Sequence, residues 1–303
     1  MNTQQLSTQV IGVDIGGSAI KLGRYDVSGN CHQSLCVSTP QPATPDAVFS
    51  ALLDALSEIS KDINSIGGIG MGLPGPVDAK GRISRIAINL KDWEDVPLAD
   101  WVEAKTGHSV VMANDANCAG LGEAWLGVGR QFKNLMVLTL GTGVGGAIIL
   151  NGELFVGPQG TAGELGLITL NFEGPVCNSG NKGSLEQYVS VQAVRRETGL
   201  EPAELAAKAE KGDIKAIEYW QQYGQRLGAG LASLIYVLTP EAIILGGGIS
   251  AGSEWFLPST INELEQRVLT SSREGLQVLI AELGNQAGAI GAAKLALDTF
   301  VFK

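Results

Sequence analysis

Histidine is almost missing from this 303-residue chain, occurring only as His32 and His108. That scarcity argues against His-based metal sites and Ser-His-Asp chemistry. Cysteine is nearly as sparse: Cys31, Cys36, Cys118 and Cys177 contain no C-x-x-C pair. Reduced thiols in a cytoplasmic setting are the simplest expectation. The polar opening, Met1–Gln9, has no basic segment leading into an apolar one, so no signal peptide is expected. No apolar run is long enough for a bilayer, and Leu231–Leu238, among the longest, reads as the end of a buried helix from about Ala216. Positive charge is short as well: 21 Lys and Arg stand against 31 Asp and Glu, a net charge of −10. Such a surface repels nucleic acid and anionic lipid, so neither is an expected partner. Small anions remain admissible, because backbone N–H groups can hold them locally.

What the chain has in quantity is glycine, 41 residues of it, clustered after apolar runs rather than spread as in a linker. Val10–Ile15, Gly16-Gly17-Ser18 and Ala19–Gly23 read as strand, tight turn, strand, with Asp14 and Lys21 flanking the turn. The pattern returns at Leu135–Leu140, Gly141-Thr142-Gly143-Val144-Gly145-Gly146 and Ala147–Leu150, which suggests an internal duplication with one hairpin opening each half. Gly141, Gly143 and Gly146 match G-x-G-x-x-G, but a dinucleotide site would need a helix after that turn, and a strand is expected instead. No G-x-x-x-x-G-K-[ST] loop occurs. A third turn, Gly246-Gly247-Gly248, closes a buried strand and would let a flat group lie against the backbone. Singly, each turn is explained by a hairpin needing positive φ. Together, with Ser18, Thr142, Lys21 and Asp14 beside them, they favour a cradle for phosphates. Asp14 would then meet Mg²⁺ through water, as hard cations prefer oxygen ligands.

Val110–Ala113 is an apolar strand followed by Asn114-Asp115-Ala116-Asn117 and helical spacing from Cys118 to Leu126. Asn114 and Asp115 therefore sit at a strand-to-helix junction. Either residue suits a helix cap, and Asp115, held ionised by the helix N-terminus, also suits a base for a hydroxyl. Glu164, flanked by Gly163 and Gly166, and Glu186 are candidate sugar-binding carboxylates. Ser184 and Gln187 bracket Glu186 in an S-x-x-Q capping box, the plainer account of that segment. Asn89 follows a short apolar stretch and alone would be a turn residue. The prolines of Thr39–Pro45 mark an exposed linker.

With these residues in order, the chain resembles the ROK family (repressor, open reading frame, kinase), particularly its bacterial glucokinase-like members. The likeness is carried by Asp14–Ser18, Gly72–Asp78, Asn114–Asn117, Leu140–Gly146, Gly163–Gly166, Leu245–Ile249 and Ala287–Ala293. It implies an α/β, two-lobed actin-like, ribonuclease H-like ATPase fold with a cleft between duplicated lobes. The expected small lobe is 1–115 plus 288–303, on which the last helix packs through its small-residue face, and the large lobe is 116–287. It also implies an ATP-dependent hexose kinase, glucokinase foremost, with Asp115 as base and Asn89, Asn114, Glu164 and Glu186 on sugar hydroxyls. Asp14, Gly16, Gly17, Ser18, Lys21, Gly141, Thr142 and Gly143 fall to ATP phosphates and Mg²⁺, and Gly246, Gly247 and Gly248 to adenosine. A homodimer is expected by the same resemblance.

One departure is large. Where the family often has a histidine and three cysteines for zinc, this chain has Leu167, Cys177, Ser179 and Ser184. A lone thiol makes no tetrahedral site, so zinc is not expected. Leu167 cannot hydrogen-bond a sugar, which opens the choice of hexose to fructose, mannose, N-acetylglucosamine or N-acetylmannosamine. Polyphosphate as donor, raised because Thr39–Pro45 resembles a stretch of polyphosphate-using glucokinases of this family, a non-catalytic sugar-binding module and a transcriptional regulator are the remaining alternatives. The last is disfavoured by the acidic charge and by the nine or so residues before the first strand, too few for a DNA-binding helix-turn-helix.

Overall fold

The structure, a computed structural model, describes residues 8–302 apart from Asn64 and Ile88. The chain forms two compact units. One runs to Arg130 and takes back Glu153–Gly163 and everything from Asn285; the other is Gln131–Gly152 with Glu164–Gly284.

In the first unit β1 (Gln9–Ile15), β2 (Ala19–Asp26) and β3 (Cys31–Ser38) form an antiparallel meander. β4 (Ile66–Leu73) and β7 (Val110–Asn114) extend it in parallel, giving the order β3-β2-β1-β4-β7, while β5 (Ser84–Ile86) and β6 (Glu94–Val96) pair separately. Helix Pro45–Ile59 buries Val48, Leu52, Ala55, Leu56 and Ile59, a stripe at helical spacing, and these join Ile11, Val13 and Leu22 in one core. The last helix, Ala287–Phe300, packs on β1, β4 and helix Asp115–Trp125. Here close approach demands small residues on both sides. A Cβ at Gly12 would stand 2.0 Å from the Ala289 carbonyl oxygen, and one at Gly291 only 1.6 Å from that of Cys118.

The second unit repeats the theme. β8 (Leu135–Leu140) and β9 (Val144–Leu150) are an antiparallel hairpin, β10 (Ala242–Gly246) lies parallel to β8, and β11 (Gln277–Ile280) lies parallel to β10. The expected duplication is visible in this topology. Helices Ile214–Leu238 and Ser253–Arg267 cover the sheet around Trp220, Tyr223 and Phe256, whose rings lie 5.0–5.9 Å apart. Among the described residues no helix is long and apolar enough to cross a membrane.

The units do not divide at Asp115, where the sequence places the lobe boundary. Helix Asp115–Trp125 stays with the first unit because Gly122 abuts the last helix, where a Cβ would meet the Ala287 carbonyl oxygen at 2.4 Å.

Candidate active site

β1, β4 and β7 are parallel, so their carboxyl ends share one edge of the first sheet. The register sets Asp14 beside Gly72 and Gly72 beside Ala113. At a strand spacing of about 4.8 Å, Asp14 and the end of β7 are about 10 Å apart along the backbone. Asn114 ends β7 and caps the helix: its Oδ1 accepts the N–H groups of Ala116 (2.9 Å) and Asn117 (3.3 Å), and its Nδ2 donates to the Gly75 carbonyl at 3.1 Å. With that role taken, Asp115 is the first helical residue, half-buried, accepting the Ala116 N–H at 2.8 Å. Burial pushes its carboxyl up to about 6, the Ala116 N–H pulls it back, and the nearby Asp14 carboxylate pushes it further up. Desolvation thus outweighs the hydrogen bonds and the helix N-terminus that lower this carboxyl, which stays predominantly ionised at neutral pH.

Asp14 faces Lys21 across the first hairpin, with Lys21 Nζ 3.5 Å from Oδ2 and also donating to the Asn285 carbonyl at 3.2 Å. Burial raises the Asp14 carboxyl against the lowering effect of Lys21. Gly288, at the start of the last helix, backs this carboxylate so closely that a Cβ there would lie 2.8 Å from Asp14 Cγ. Asn89 is exposed beside the first turn, its Cβ 3.7 Å from where one would stand on Gly17.

The first turn is held from behind by a segment that the sequence reading assigns to an exposed linker. Thr39, 4 % exposed, donates its hydroxyl to the Gly16 carbonyl at 2.6 Å and its N–H to that of Ser18 at 3.1 Å. Gln41 Nε2 donates to the Gly17 carbonyl at 3.1 Å. Only the tip of the segment, Gln41 and Pro42, is exposed.

In the second unit the turn Gly141–Gly143 is similarly held. The Val191 N–H donates to the Gly141 carbonyl at 2.8 Å, and the Val144 N–H donates to Glu186 Oε2 at 2.9 Å. A Cβ on Gly143 would meet that same oxygen at 2.4 Å. Glu164 is solvent-exposed and precedes the short 3₁₀ turn Leu165–Leu167, which lies on β9 because Gly166 leaves no room for a side chain against Val144. Partial burial and the charge of Glu186 hold the Glu164 carboxyl above its ordinary range. The third turn touches the strand that leads into the second: a Cβ on Gly247 would lie 2.3 Å from the Leu140 carbonyl oxygen. Glu164, Glu186 and the turns Gly141–Gly143 and Gly246–Gly248 thus gather at one end of this sheet. Asp14, Lys21, the turn Gly16–Ser18, Asn89, Asn114 and Asp115 belong to the first unit.

The glycines answer a question that the sequence leaves open. Of these turn residues only Gly247 has positive φ, at +87°. Gly17, Gly141 and Gly248 have neither positive φ nor close neighbours in the chain that would exclude a side chain. Moreover, the N–H groups of Gly17, Ser18, Thr142 and Gly143 find no partner among the described residues. Each hairpin turn therefore presents two consecutive free donors, the arrangement that binds anions.

The capping box at Ser184 is not formed. Helix Glu186–Val189 starts at Leu185 with no side-chain cap, and Glu186 turns instead to Val144. Thr39, Gln41 and Gly288 are absent from the sequence-based set, although the Gly-Ala run from Ala287 signals the close packing in which Gly288 takes part.

A family model described as the ROK family matches residues 10–299. The chain belongs to the ROK family. It is 35% identical over 313 residues to a glucokinase of Streptomyces coelicolor, covering 95% of this chain and 97% of that one. A solved ROK family glucokinase from Streptomyces griseus, in complex with glucose and AMPPNP, superposes with a TM-score of 0.80 at 34% identity, covering 96% and 99% of the two chains. Regulators are relatives too: the xylose repressor of Bacillus subtilis is 27% identical over 96% of this chain and 77% of its own length.

In this ROK chain two of the positions read in sequence as lost zinc ligands, Leu167 and Cys177, are tied by hydrogen bonds to Asn181. Asn181 Nδ2 donates to the Leu167 carbonyl at 3.1 Å and to Thr169 Oγ1 at 3.0 Å, and its own carbonyl accepts the Cys177 N–H at 2.8 Å. Cys177, 3 % exposed, places Sγ 3.9 Å from Glu186 Oε1. Asn181 thereby clasps the loop that precedes Glu186.

Proposed function

We propose that this ROK chain is a hexose kinase that moves the terminal phosphoryl group of ATP to a sugar hydroxyl, with glucose as acceptor. The observation that carries this reading is the division of labour at the strand-to-helix junction. Asn114 takes the cap, which leaves the half-buried Asp115 carboxyl outside the capping role, with only local partners in the Ala116 N–H and the Asn114 side chain. Phosphoryl transfer through a loose transition state asks for positioning and a modest base rather than a strong one. A carboxyl near 6 is ionised at neutral pH and close enough in proton affinity to share a hydroxyl proton.

The step balances simply. The sugar oxygen forms a bond to the γ-phosphorus, the bond from that phosphorus to the β–γ bridging oxygen breaks, and its electron pair leaves with ADP. The hydroxyl proton passes to Asp115. The free N–H pairs of the two hairpin turns suit the phosphate oxygens. Magnesium enters as part of the nucleotide substrate; Asp14, already paired with Lys21, suits contact with it through water. Glu164 and Glu186 suit vicinal sugar hydroxyls, as does the Asn114 amide, while Asn89 stands exposed for another.

The test is ADP release with Mg-ATP across glucose, fructose, mannose, N-acetylglucosamine and N-acetylmannosamine, with sugar-phosphate formation measured when polyphosphate replaces ATP. Glucose-dependent ADP release supports the reading. Silence with every sugar would leave a sugar-binding module, and activity with polyphosphate alone would replace the donor.

A further inference from the structure

We propose that Thr39 and Gln41 are positioning residues for nucleotide: by anchoring the three carbonyls of the turn Gly16–Ser18, they aim its N–H groups at the phosphates. The inference rests on the kinase reading for the identity of the ligand, but its geometry stands apart from any catalytic step.

A trans peptide is a rigid plane in which the C=O of one residue and the N–H of the next point in opposite directions. Holding a carbonyl therefore aims the following N–H. The Thr39 hydroxyl holds the Gly16 carbonyl at 2.6 Å, so the Gly17 N–H faces the other way. Gln41 Nε2 holds the Gly17 carbonyl at 3.1 Å, so the Ser18 N–H faces the other way too. The Thr39 N–H holds the Ser18 carbonyl at 3.1 Å and completes the set. All three acceptors of the turn are thus drawn to one side, and the two N–H groups they aim have no partner among the described residues. The brace is itself braced, since the Ala43 carbonyl accepts the Lys91 N–H at 3.0 Å.

Without this anchoring a glycine peptide flips readily, having no side chain to resist it. A flipped plane would turn a carbonyl oxygen toward the anion and convert attraction into repulsion. Thr39 carries most of this, because its hydroxyl is buried and replacing it leaves the Gly16 carbonyl unpaired. Gln41 is exposed and its bond competes with water, so it contributes less.

The experiment measures Mg-ADP binding by calorimetry for the wild type and for Thr39→Val, Thr39→Ser and Gln41→Ala, with KM for ATP and for glucose measured in parallel. Thr39→Val keeps the shape and removes the hydroxyl. It is expected to weaken Mg-ADP binding about tenfold, with KM for ATP rising and KM for glucose unchanged. Thr39→Ser restores the hydroxyl and should bind within about twofold of wild type, while Gln41→Ala loses about threefold. Wild-type affinity in Thr39→Val overturns the proposal, as does an equal loss in Thr39→Ser, which would show that the site responds to any change of side chain rather than to loss of the hydroxyl. Should Thr39→Val fail to fold, Gln41→Ala decides, and unchanged Mg-ADP affinity there overturns it. Nucleotide binding that responds as described, without transfer to any hexose, would sink the kinase reading and support this one.

Discussion

Replacing Asp115 by Asn should make the protein more stable and nearly inactive, and the two effects should depend on pH differently. The carboxyl rises from 3.8 to about 6 on folding, a shift of about two units, or roughly 3 kcal/mol at 1.36 kcal/mol per unit. Water reaches this half-buried group and screens it, and asparagine gives up roughly 0.5 kcal/mol of favourable interaction with the helix N-terminus. A net gain of about 1–2 kcal/mol at neutral pH remains. The sign follows from linkage. A carboxyl whose folded value lies above its unfolded one costs nothing when protonated in both states. It costs progressively more as pH rises through that interval, and the full amount above the folded value. The asparagine variant should therefore gain little near pH 4, roughly half its advantage at pH 5 and all of it at pH 7.5. Urea unfolding of both proteins at pH 5 and 7.5 reads this directly. Turnover should fall roughly 10²–10⁴-fold above about pH 7, as expected when a general base is lost, and the difference should narrow below about pH 6, where the wild-type carboxyl is itself protonated. A stability difference that does not vary with pH would refute the raised carboxyl, and undiminished turnover would refute its role.

Three further outcomes follow from the same geometry. Asp14→Asn removes the like charge that raises Asp115, so the acid limb of the kcat/KM profile should move to lower pH; no movement would mean that the two carboxyls are uncoupled. Gly12→Ala should cost at least about 2 kcal/mol in denaturant unfolding, because the last helix must shift away from a methyl group 2.0 Å from the Ala289 carbonyl; a neutral result would mean that the helix sits elsewhere. Asn114→Ala should cost about 1 kcal/mol through loss of the cap, and unchanged stability would return the capping role to Asp115.

How much of this was legible in sequence depended on the range of the forces involved. The paired hairpins, the buried strand before Gly246 and the junction at Asn114 were readable because each is encoded by neighbouring residues: apolar runs, glycine turns and a cap. The helix expected from about Ala216 is Ile214–Leu238. The role of Thr39 was hidden because its hydroxyl bonds a carbonyl 23 positions away, and proline spacing alone describes that segment equally well as a linker. Ser184 and Gln187 had the right local spacing for a capping box, but the Gln187 N–H donates to the Ser184 backbone carbonyl and the Gln187 side chain accepts from Arg196, so the box does not form. The boundary at Asp115 failed for a related reason. The small-residue face of the last helix was legible, but that Gly122 is the surface it meets depends on a contact between distant residues, and this contact decides with which unit helix Asp115–Trp125 packs.

The central claim is that the Asp115 carboxyl receives the proton of the hydroxyl to be phosphorylated. The most direct measurement is a crystal structure of the chain with glucose bound. The account predicts one Asp115 oxygen within about 2.6–3.2 Å of a single sugar hydroxyl. A sugar seated with every hydroxyl well beyond hydrogen-bond reach of Asp115 would contradict it.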